Sequence, residues 1–473
     1  MITSPSQLKY FLFIWLLLWG LLGCSFGPKH QRPEINTPPD YRFSEISQPD
    51  SAVNLVWWEL FQNPTLDTLV QAALKGNKNI LIALSRIDEA RATYGFTKAD
   101  LLPRLDIQAG ASRGTLFNGI ELESEANNFF ISPVVNWELD FWGKYRKASE
   151  AAKAEFLGTQ YSLRSLQISL ISDVASTYFL LLDYQNRLKI TRKTLKLREE
   201  SLRIITRRFE EGIIPEIDLF QAKIQREIAF SAIPTFERLI GQTENTLSIL
   251  LGELPRTFLI QDTLEIDVNP PEIPAGLPAT LLERRPDIAQ AEMILKAQTA
   301  RIGVAQALRL PAINLTAALG FVSDDLSKIT DGDPSWSISG SLFGPIFNFN
   351  KNVRRVDIEK ARTEQALFGY ENTVLQAFRE VEDALLEVRT YQEQLASKER
   401  ELFSAQGAAR LSRSRYDKGV TSYLEVLESD RTLFIVELEF SELRQLYQNS
   451  YVRLYKVLGG GWITREEMKN SQE

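Results

Sequence analysis

Apolar and polar residues alternate strictly along four stretches of the chain. Leu105, Ile107, Ala109 and Ala111 interleave with Arg104, Asp106, Gln108 and Gly110. Phe129, Ile131, Val135, Trp137 and Leu139 share a parity opposite Ser132, Asn136, Glu138 and Asp140. Much later, Ile313, Leu315, Ala317, Leu319 and Phe321 alternate with Asn314, Thr316 and Gly320, and Trp336, Ile338 and Leu342 with Ser335, Ser337, Ser339 and Ser341. A period of two predicts strands with one apolar and one wet face. Two arrangements fit: a half-buried antiparallel sheet in a soluble protein, or a transmembrane barrel of strands about ten residues long, apolar outside and polar inside. The connecting segments Gly114–Asn127 and Ser323–Pro334 carry Glu121, Glu123, Glu125, Asp324, Asp325, Asp331 and Asp333, and read as exposed loops.

The second pattern is helical. No proline occurs from Val134 to Ile214 or after Pro345. Proline costs about 3 kcal/mol inside a helix, so its absence permits unbroken runs. The runs 144–211 and 351–418 are each about 68 residues, roughly 100 Å at 1.5 Å per residue. Leu188, Leu195, Leu202 and Phe209 recur every seven residues, as do Leu395, Leu402, Ala409 and Tyr416. Heptad spacing predicts coiled-coil contacts. Gly212 and Gly419 end these runs as C-terminal caps, and shorter helices return over 216–252 and 422–458.

These elements form one unit written twice. Ile80, Ala83, Gly95, Ala99, Leu102 and Pro103 match Ile288, Ala291, Gly303, Ala307, Leu310 and Pro311, and further on Lys144, Val174, Gly212, Leu251 and Gly252 match Lys351, Val381, Gly419, Leu458 and Gly459. Shared order and register make this an internal repeat. Repeat one spans 64–270, with a first helix over 64–101, a hairpin near 104–140, the long helix 144–211 and the return helix. Repeat two spans 271–473, with a first helix over 277–308, a hairpin near 312–347, the long helix 351–418, the return helix and a C-terminal tail. The fold class expected is mainly α with a small transmembrane β part.

Composition narrows the function. Of 473 residues one is Cys and one is His, so neither an intrachain disulfide nor a histidine-built triad or zinc site is available. No metal and no cofactor is expected. The net charge of −7 forms no basic stripe, which argues against nucleic acid. At the N-terminus, Lys9 precedes an apolar run from Phe11 to Leu22, too short to span a bilayer. The string Leu21-Leu22-Gly23-Cys24 resembles a bacterial lipobox: residues 1–23 would be a signal peptide, Cys24 the acylated new N-terminus, and 24–63 an extended anchored lead-in. Ser25 is not the Asp that retains lipoproteins in the inner membrane of enteric bacteria, so the outer membrane is the expected destination. Past Cys24 no long apolar run is evident, so a membrane would be crossed with strands.

One chain offers only four strands. Four strands close no useful barrel, and open edges are not tolerated in lipid. Several chains must therefore share one barrel.

Several strings carry a family resemblance. They are Gly27-Pro28 with Arg32-Pro33, Trp57-Trp58-Glu59-Leu60-Phe61 with Asn63-Pro64, and Trp137-Glu138-Leu139-Asp140-Phe141-Trp142-Gly143. Two more are Leu282-Glu283-Arg284-Arg285-Pro286-Asp287-Ile288 and, after Tyr416 and Gly419, Tyr423-Leu424-Glu425-Val426-Leu427-Glu428. Together they resemble the outer-membrane efflux channel family, in its lipoprotein branch associated with resistance-nodulation-division pumps, over nearly the whole mature chain. The resemblance implies a homotrimer with a twelve-stranded barrel, four strands per chain, on a long helical coiled-coil barrel in the periplasm. It implies a periplasmic adaptor and an inner-membrane pump as partners, passive efflux of drugs or other small molecules, and no enzymatic activity.

The resemblance also points to sites. Glu425 and Glu428 would form carboxylate rings at a narrow periplasmic mouth, with Leu424 and Tyr416 beside them. Three copies of each carboxylate would attract cations and repel one another. Acidic residues are also ordinary in a first helical turn. One branch has an arginine two residues past the turn glycine where this chain has Thr421, which argues against that form of salt-bridged lock; by the resemblance, Leu424 would instead contribute an apolar ring. The tips Gly212-Ile213-Ile214-Pro215 and Gly419-Val420-Thr421-Ser422 are candidates for adaptor docking, and equally for plain turn chemistry. Arg284, Arg285 and Asp287 read as structural, and Trp137, Trp142 and Trp336 as either an aromatic girdle or core. The rival functions are the exit duct of a type I protein secretion system and a non-conducting coiled-coil envelope spacer. The alternating strands argue against the spacer.

Overall fold

The computed structural model describes residues 27–43, 61, 63–117, 120–258, 260 and 278–460. Cys24, the apolar leader, Trp57 and Trp58 and the tail after 460 lie outside them. The elements in chain order are helices α1 (Pro64–Gly76) and α2 (Lys78–Ala99), strands β1 (Arg104–Phe117) and β2 (Ile120–Leu139), and helices α3 (Lys144–Glu210) and α4 (Glu216–Leu251). The second copy follows as α5 (Pro278–Arg284), α6 (Pro286–Ala307), β3 (Ala312–Ser323), β4 (Ser335–Phe343), α7 (Lys351–Asp417) and α8 (Tyr423–Val457).

Three expectations need correction. The first helix of each copy is broken, at Asn77 and at Arg285. The segment 114–127 is not a loop: β1 and β2 stay paired to Phe117↔Ile120, with one register shift between Gly114 and Leu116. Arg113 and Glu125 form a cross-strand ion pair there at 3.4 Å. And α3 does contain a stretch apolar enough to cross a membrane by composition. Its Ile171, Val174, Ala175, Tyr178, Leu181 and Leu182 belong instead to a buried core.

The chain divides into two compact units, one built from Met1–Glu34, Ser85–Gln160 and Gln290–Glu371, the other from Ile35–Leu84, Tyr161–Ala289 and Asn372–Glu473. The first holds the sheet. It also holds α2 and α6, where Ala151 and Ala154 of α3 meet Ala297 and Ala300 of α6 in a small-residue contact. Residues 27–34 lie against α6. The His30 imidazole stands 3.5 Å and the Arg32 guanidinium 3.4 Å from the Glu292 carboxylate. The contact with His30, then the charges of Arg32 and Lys296, hold the Glu292 carboxyl below its ordinary value against the opposing effect of burial. A depressed carboxylate pKa adds stability above its unfolded value and loses it as pH falls through the folded one. Hydrogen exchange of residues 27–34 should therefore quicken as pH drops below the ordinary value of 4.5. Glu292→Gln should abolish that dependence; an unchanged profile would contradict the assignment.

The second unit is a helical bundle. Its largest core packs Leu66, Val70 and Ala73 of α1 with Ile171, Val174, Tyr178 and Leu181 of α3, Leu247 and Leu251 of α4, and Tyr447, Tyr451 and Tyr455 of α8. Asn63 caps α1, accepting from the Leu66 amide at 2.9 Å while its amide donates to the Tyr178 hydroxyl at 2.8 Å. Pro64 follows at the position where a missing N–H costs nothing. Proline inside α4 is less comfortable: Pro234 leaves the Phe230 carbonyl without its helical donor. Deeper along the bundle, Ser441 of α8 donates to Asp183 of α3 at 2.6 Å, and Arg187 pairs with Asp183 at 2.8 Å and Glu442 at 3.0 Å. Burial raises the Asp183 carboxyl above its usual range, and Ser441 and Arg187 draw it part of the way back.

The two helix breaks are built alike. The Asn77 amide donates to Ala73 and the Arg285 amide to Leu281, while Leu81 donates to Asn77 and Ala289 to Arg285. The Asn77 side chain then donates to the Leu250 carbonyl at 2.8 Å, and the Arg285 guanidinium to the Val457 carbonyl at 3.1 Å. These are equivalent positions of the two copies. In each, the residue at the break ties the first helix to the last turn of the return helix. Arg285 also bonds Asp287 at 2.6 Å and Glu380 at 2.8 Å, which gives the Arg284-Arg285-Pro286-Asp287 string its structural role.

Candidate functional site at the sheet edges and helical tips

Sheet order is β1-β2-β3-β4, with every neighbour antiparallel. The register sorts the side chains by chemistry. Ala109↔Ile131, Ile131↔Phe321, Val135↔Ala317, Ala317↔Ile338 and Leu319↔Trp336 align on one face. Gln108↔Ser132, Asn136↔Thr316, Thr316↔Ser339 and Asn314↔Ser341 align on the other, joined by a Thr316–Asn136 side-chain hydrogen bond at 3.2 Å. The apolar face is uncovered at both outer strands: Leu105 and Ile107 of β1 and Trp336, Ile338 and Leu342 of β4 are all at least 70% exposed. Among the described residues neither outer edge has a strand neighbour.

A sheet like this has an unfinished hydrogen-bond ladder on two sides and an apolar surface facing outward. In water both would be liabilities. From Phe129 to Leu139 the apolar face rises about 34 Å along the strand, or roughly 25 Å across a bilayer at a tilt of about 40°. Near the helix end of the sheet, the Trp137 indole donates to the Leu101 carbonyl at 3.1 Å and Trp142 to Pro311 at 2.7 Å. Trp336 lies toward the opposite end.

At the far ends of α3 and α7 the chain turns through two matching caps. Gly212 and Gly419 have φ of 73° and 70°. Ile213 donates to Arg208 and Gly212 to Phe209, while Val420 donates to Arg415 and Gly419 to Tyr416, the Schellman pattern in both copies. Beneath the caps, Ile205, Leu219, Tyr423, Val426 and Leu427 form one cluster with Phe209, Ile214 and Tyr416 against it. Tyr416 packs against Tyr423 with ring centroids 5.4 Å apart and planes tilted by 47°, and the Arg208 guanidinium lies 5.0 Å over the Tyr416 ring.

The expected site residues divide accordingly. Ile214 and Tyr416 are half-buried packing residues, and Thr421 is also half-buried. Gly212, Ile213, Pro215, Gly419, Val420, Ser422, Leu424, Glu425 and Glu428 are exposed. Both carboxylates have counter-charges that the sequence reading missed. Glu425 accepts from the Thr421 hydroxyl and lies 3.8 Å from Arg415, and Glu428 pairs with Arg431 at 2.8 Å. A third pair, Arg413 with Asp430 at 2.7 Å, links the end of α7 to the start of α8.

The outer membrane efflux protein family matches the chain twice, over residues 69–253 and 277–460. The matches are offset by 208 residues at the start and 207 at the end, as the two structural copies are. The chain belongs to the outer membrane efflux protein family. Among its relatives, Cation efflux system protein CusC of Escherichia coli O6:H1 is 32% identical over 464 residues, covering 97% of this chain and 99% of that protein. Solvent efflux pump outer membrane protein SrpC of Pseudomonas putida is 35% identical over 459 residues, covering 94% and 97%. The crystal structure of the Campylobacter jejuni CmeC outer membrane channel superposes with a TM-score of 0.85 at 28% identity, covering 95% of this chain and 98% of that one. The family is one of outer-membrane efflux channels, and neither the secretion duct nor the envelope spacer is favoured by these relatives.

Proposed function

We propose that three copies of this chain form a passive exit duct of a tripartite efflux pump, with the four strands of each copy completing a twelve-stranded barrel in the outer membrane. The observation that carries this reading is the four-stranded sheet itself, sorted into an apolar and a polar face and, among the described residues, unpaired at both edges. Sister copies supply the missing ladders, because β4 of one chain can lie antiparallel to β1 of the next and continue the meander. The polar face then lines a wet passage. Cys24, acylated, anchors the chain in the same membrane, and the helical part lies in the periplasm. Trp137, Trp142 and Trp336 mark the two membrane boundaries.

At the helical tips, Glu425, Glu428 and Leu424 line the narrow mouth, with Tyr416 packed behind them. The turns Gly212-Ile213-Ile214-Pro215 and Gly419-Val420-Thr421-Ser422, exposed except for the half-buried Ile214 and Thr421, meet a periplasmic adaptor, which joins the duct to an inner-membrane pump. The close contacts of Glu425 with Thr421 and of Glu428 with Arg431 temper the charge of the mouth without removing it. Ion pairs this exposed are worth about 0–1 kcal/mol, so they yield readily when the mouth widens.

Planar-bilayer recording of the purified trimer tests the reading. The protein should conduct with a preference for cations. Glu428→Ala should weaken that preference and loosen the resting closed state. A wild-type protein that does not conduct would contradict the duct. Unchanged conductance and selectivity in the variant would remove Glu428 from the mouth.

A further inference from the structure

The sheet carries the internal repeat in its pairing. Arg104↔Asn136, Ala109↔Ile131 and Ser112↔Asn128 of the first hairpin become Ala312↔Phe343, Ala317↔Ile338 and Gly320↔Ser335 of the second. The first strands of the two hairpins are offset by 208 residues and the second strands by 207, pair after pair. The crossings into the long helices keep the offset of 207. Gly143 and Lys144 match Asn350 and Lys351, and Gly143 and Asn350 share a positive φ, 78° and 62°.

A third junction joins the two copies within the chain. Strand β2 pairs with β3 through Val135↔Ala317, Trp137↔Leu315 and Leu139↔Ile313. Just beyond, the Trp142 indole donates to the Pro311 carbonyl at 2.7 Å. This junction leaves Leu139, Phe141 and Trp142 half-buried on one side, and Pro311, Ala312 and Ile313 half-buried on the other. The same offsets carry β2 onto β4 and β3 onto β1. Within one chain those two strands are the outer edges and do not meet. Both halves of the equivalent junction are bare: Leu102, Pro103 and Leu105 at the start of β1, and Ile346, Phe347 and Phe349 past the end of β4.

Phe349 stands where the first copy has Trp142. It is 86% exposed, and its ring packs against Phe347 with centroids 4.7 Å apart. Its φ is 50°, a conformation that bulky residues rarely hold. Strain of this kind persists where the surroundings over-determine it.

We infer that the next copy of this chain takes the place along β4 that β3 takes along β2, in the register set by the repeat: Leu342 opposite Ala109, Gly344 opposite Ile107 and Ile346 opposite Leu105. Phe349 then lies on Pro103 of the next copy, as Trp142 lies on Pro311. This register keeps apolar residues beside apolar ones. A slip of one residue would set Leu342 against Gln108 or Gly110 and turn the faces over. A slip of two would keep the faces but break the repeat. The inference rests on the duct reading and names which residues of sister chains meet.

Cysteine pairs in the full chain, oxidised in outer membranes, read the register. Leu342→Cys is combined in turn with Ile107→Cys, Ala109→Cys and Ala111→Cys. Residues directly opposite have Cβ atoms about 4.5–5.5 Å apart, near disulfide reach, and those two positions off lie about 7–8 Å away. The pair with Ala109→Cys should give several-fold more covalently joined trimer than either other pair. More product from Ile107→Cys or Ala111→Cys would overturn the register and leave the shared barrel standing. No disulfide between chains from any pair would overturn both. Phe349→Gly tests the seat on Pro103, because it frees the backbone while removing the ring. The trimer should dissociate at a lower temperature, and the loss should shrink to about half or less when Pro103→Ser is already present. An unchanged or higher dissociation temperature would overturn the seat. Strictly additive losses would overturn it too and assign the ring to lipid.

Discussion

Gly252→Ala should destabilise the protein by about 2–5 kcal/mol, and the same change at Gly419 by only about 1–2 kcal/mol. Both glycines are left-handed caps, with φ of 76° and 70°. At Gly419 a methyl group would meet nothing within 4 Å, so only the backbone conformation resists it. At Gly252 it would come within 2.1 Å of the Gly76 carbonyl oxygen, and backbone cannot step aside as a flexible side chain can. The reciprocal contact is as close, since a methyl on Gly76 would lie 2.3 Å from the Leu251 carbonyl. The two glycines let α1 and α4 approach until Asn77 can reach Leu250. Separating them would break that bond and open the core around Leu247 and Leu251. Thermal melts of the detergent-solubilised variants check this. Equal shifts for the two substitutions would show that the close approach carries no weight.

Ile131→Arg should prevent assembly in the outer membrane. Ile131 sits near the middle of β2, on the apolar face, between Ala109 and Phe321. If that face meets lipid, a charge near the midplane costs about 2–4 kcal/mol per chain. Three chains sharing one barrel would bear the cost three times over. Ser132→Arg, one residue on and on the polar face, should be tolerated far better. Heat-resistant trimer in outer-membrane fractions is the readout. Normal yield for Ile131→Arg with loss for Ser132→Arg would invert the orientation of the sheet.

The strands were legible because period-two patterning survives in single sequences: Ile131, Val135 and Trp137 share one face in the chain and in the sheet. The long helices were legible because nothing interrupts them and glycine ends both. The repeat was legible from shared register alone. The helix breaks were not foreseen. Pro286 disfavours helix at Arg285, and transferring that break by the repeat offset would have found Asn77, where no proline marks it. The extension of β1 and β2 past Gly114 was hidden by composition. Glu121, Glu123 and Glu125 read as a loop, yet they alternate with Ile120, Leu122 and Ser124 as strand residues do. At the tips, the candidate residues were placed by resemblance. Their counter-charges were not, because Arg415 meets Glu425 only once the turn between them has folded.

The account depends on sister chains finishing the sheet, and crosslinking its two edges tests that most directly. A panel pairing a cysteine at Leu105, Ile107 or Ala109 of β1 with one at Trp336, Ile338 or Leu342 of β4 would be oxidised in outer membranes and run under denaturing conditions. The expected result is a ladder that stops at three covalently joined chains. A ladder running past three, or disulfides confined to single chains across the whole panel, would contradict it.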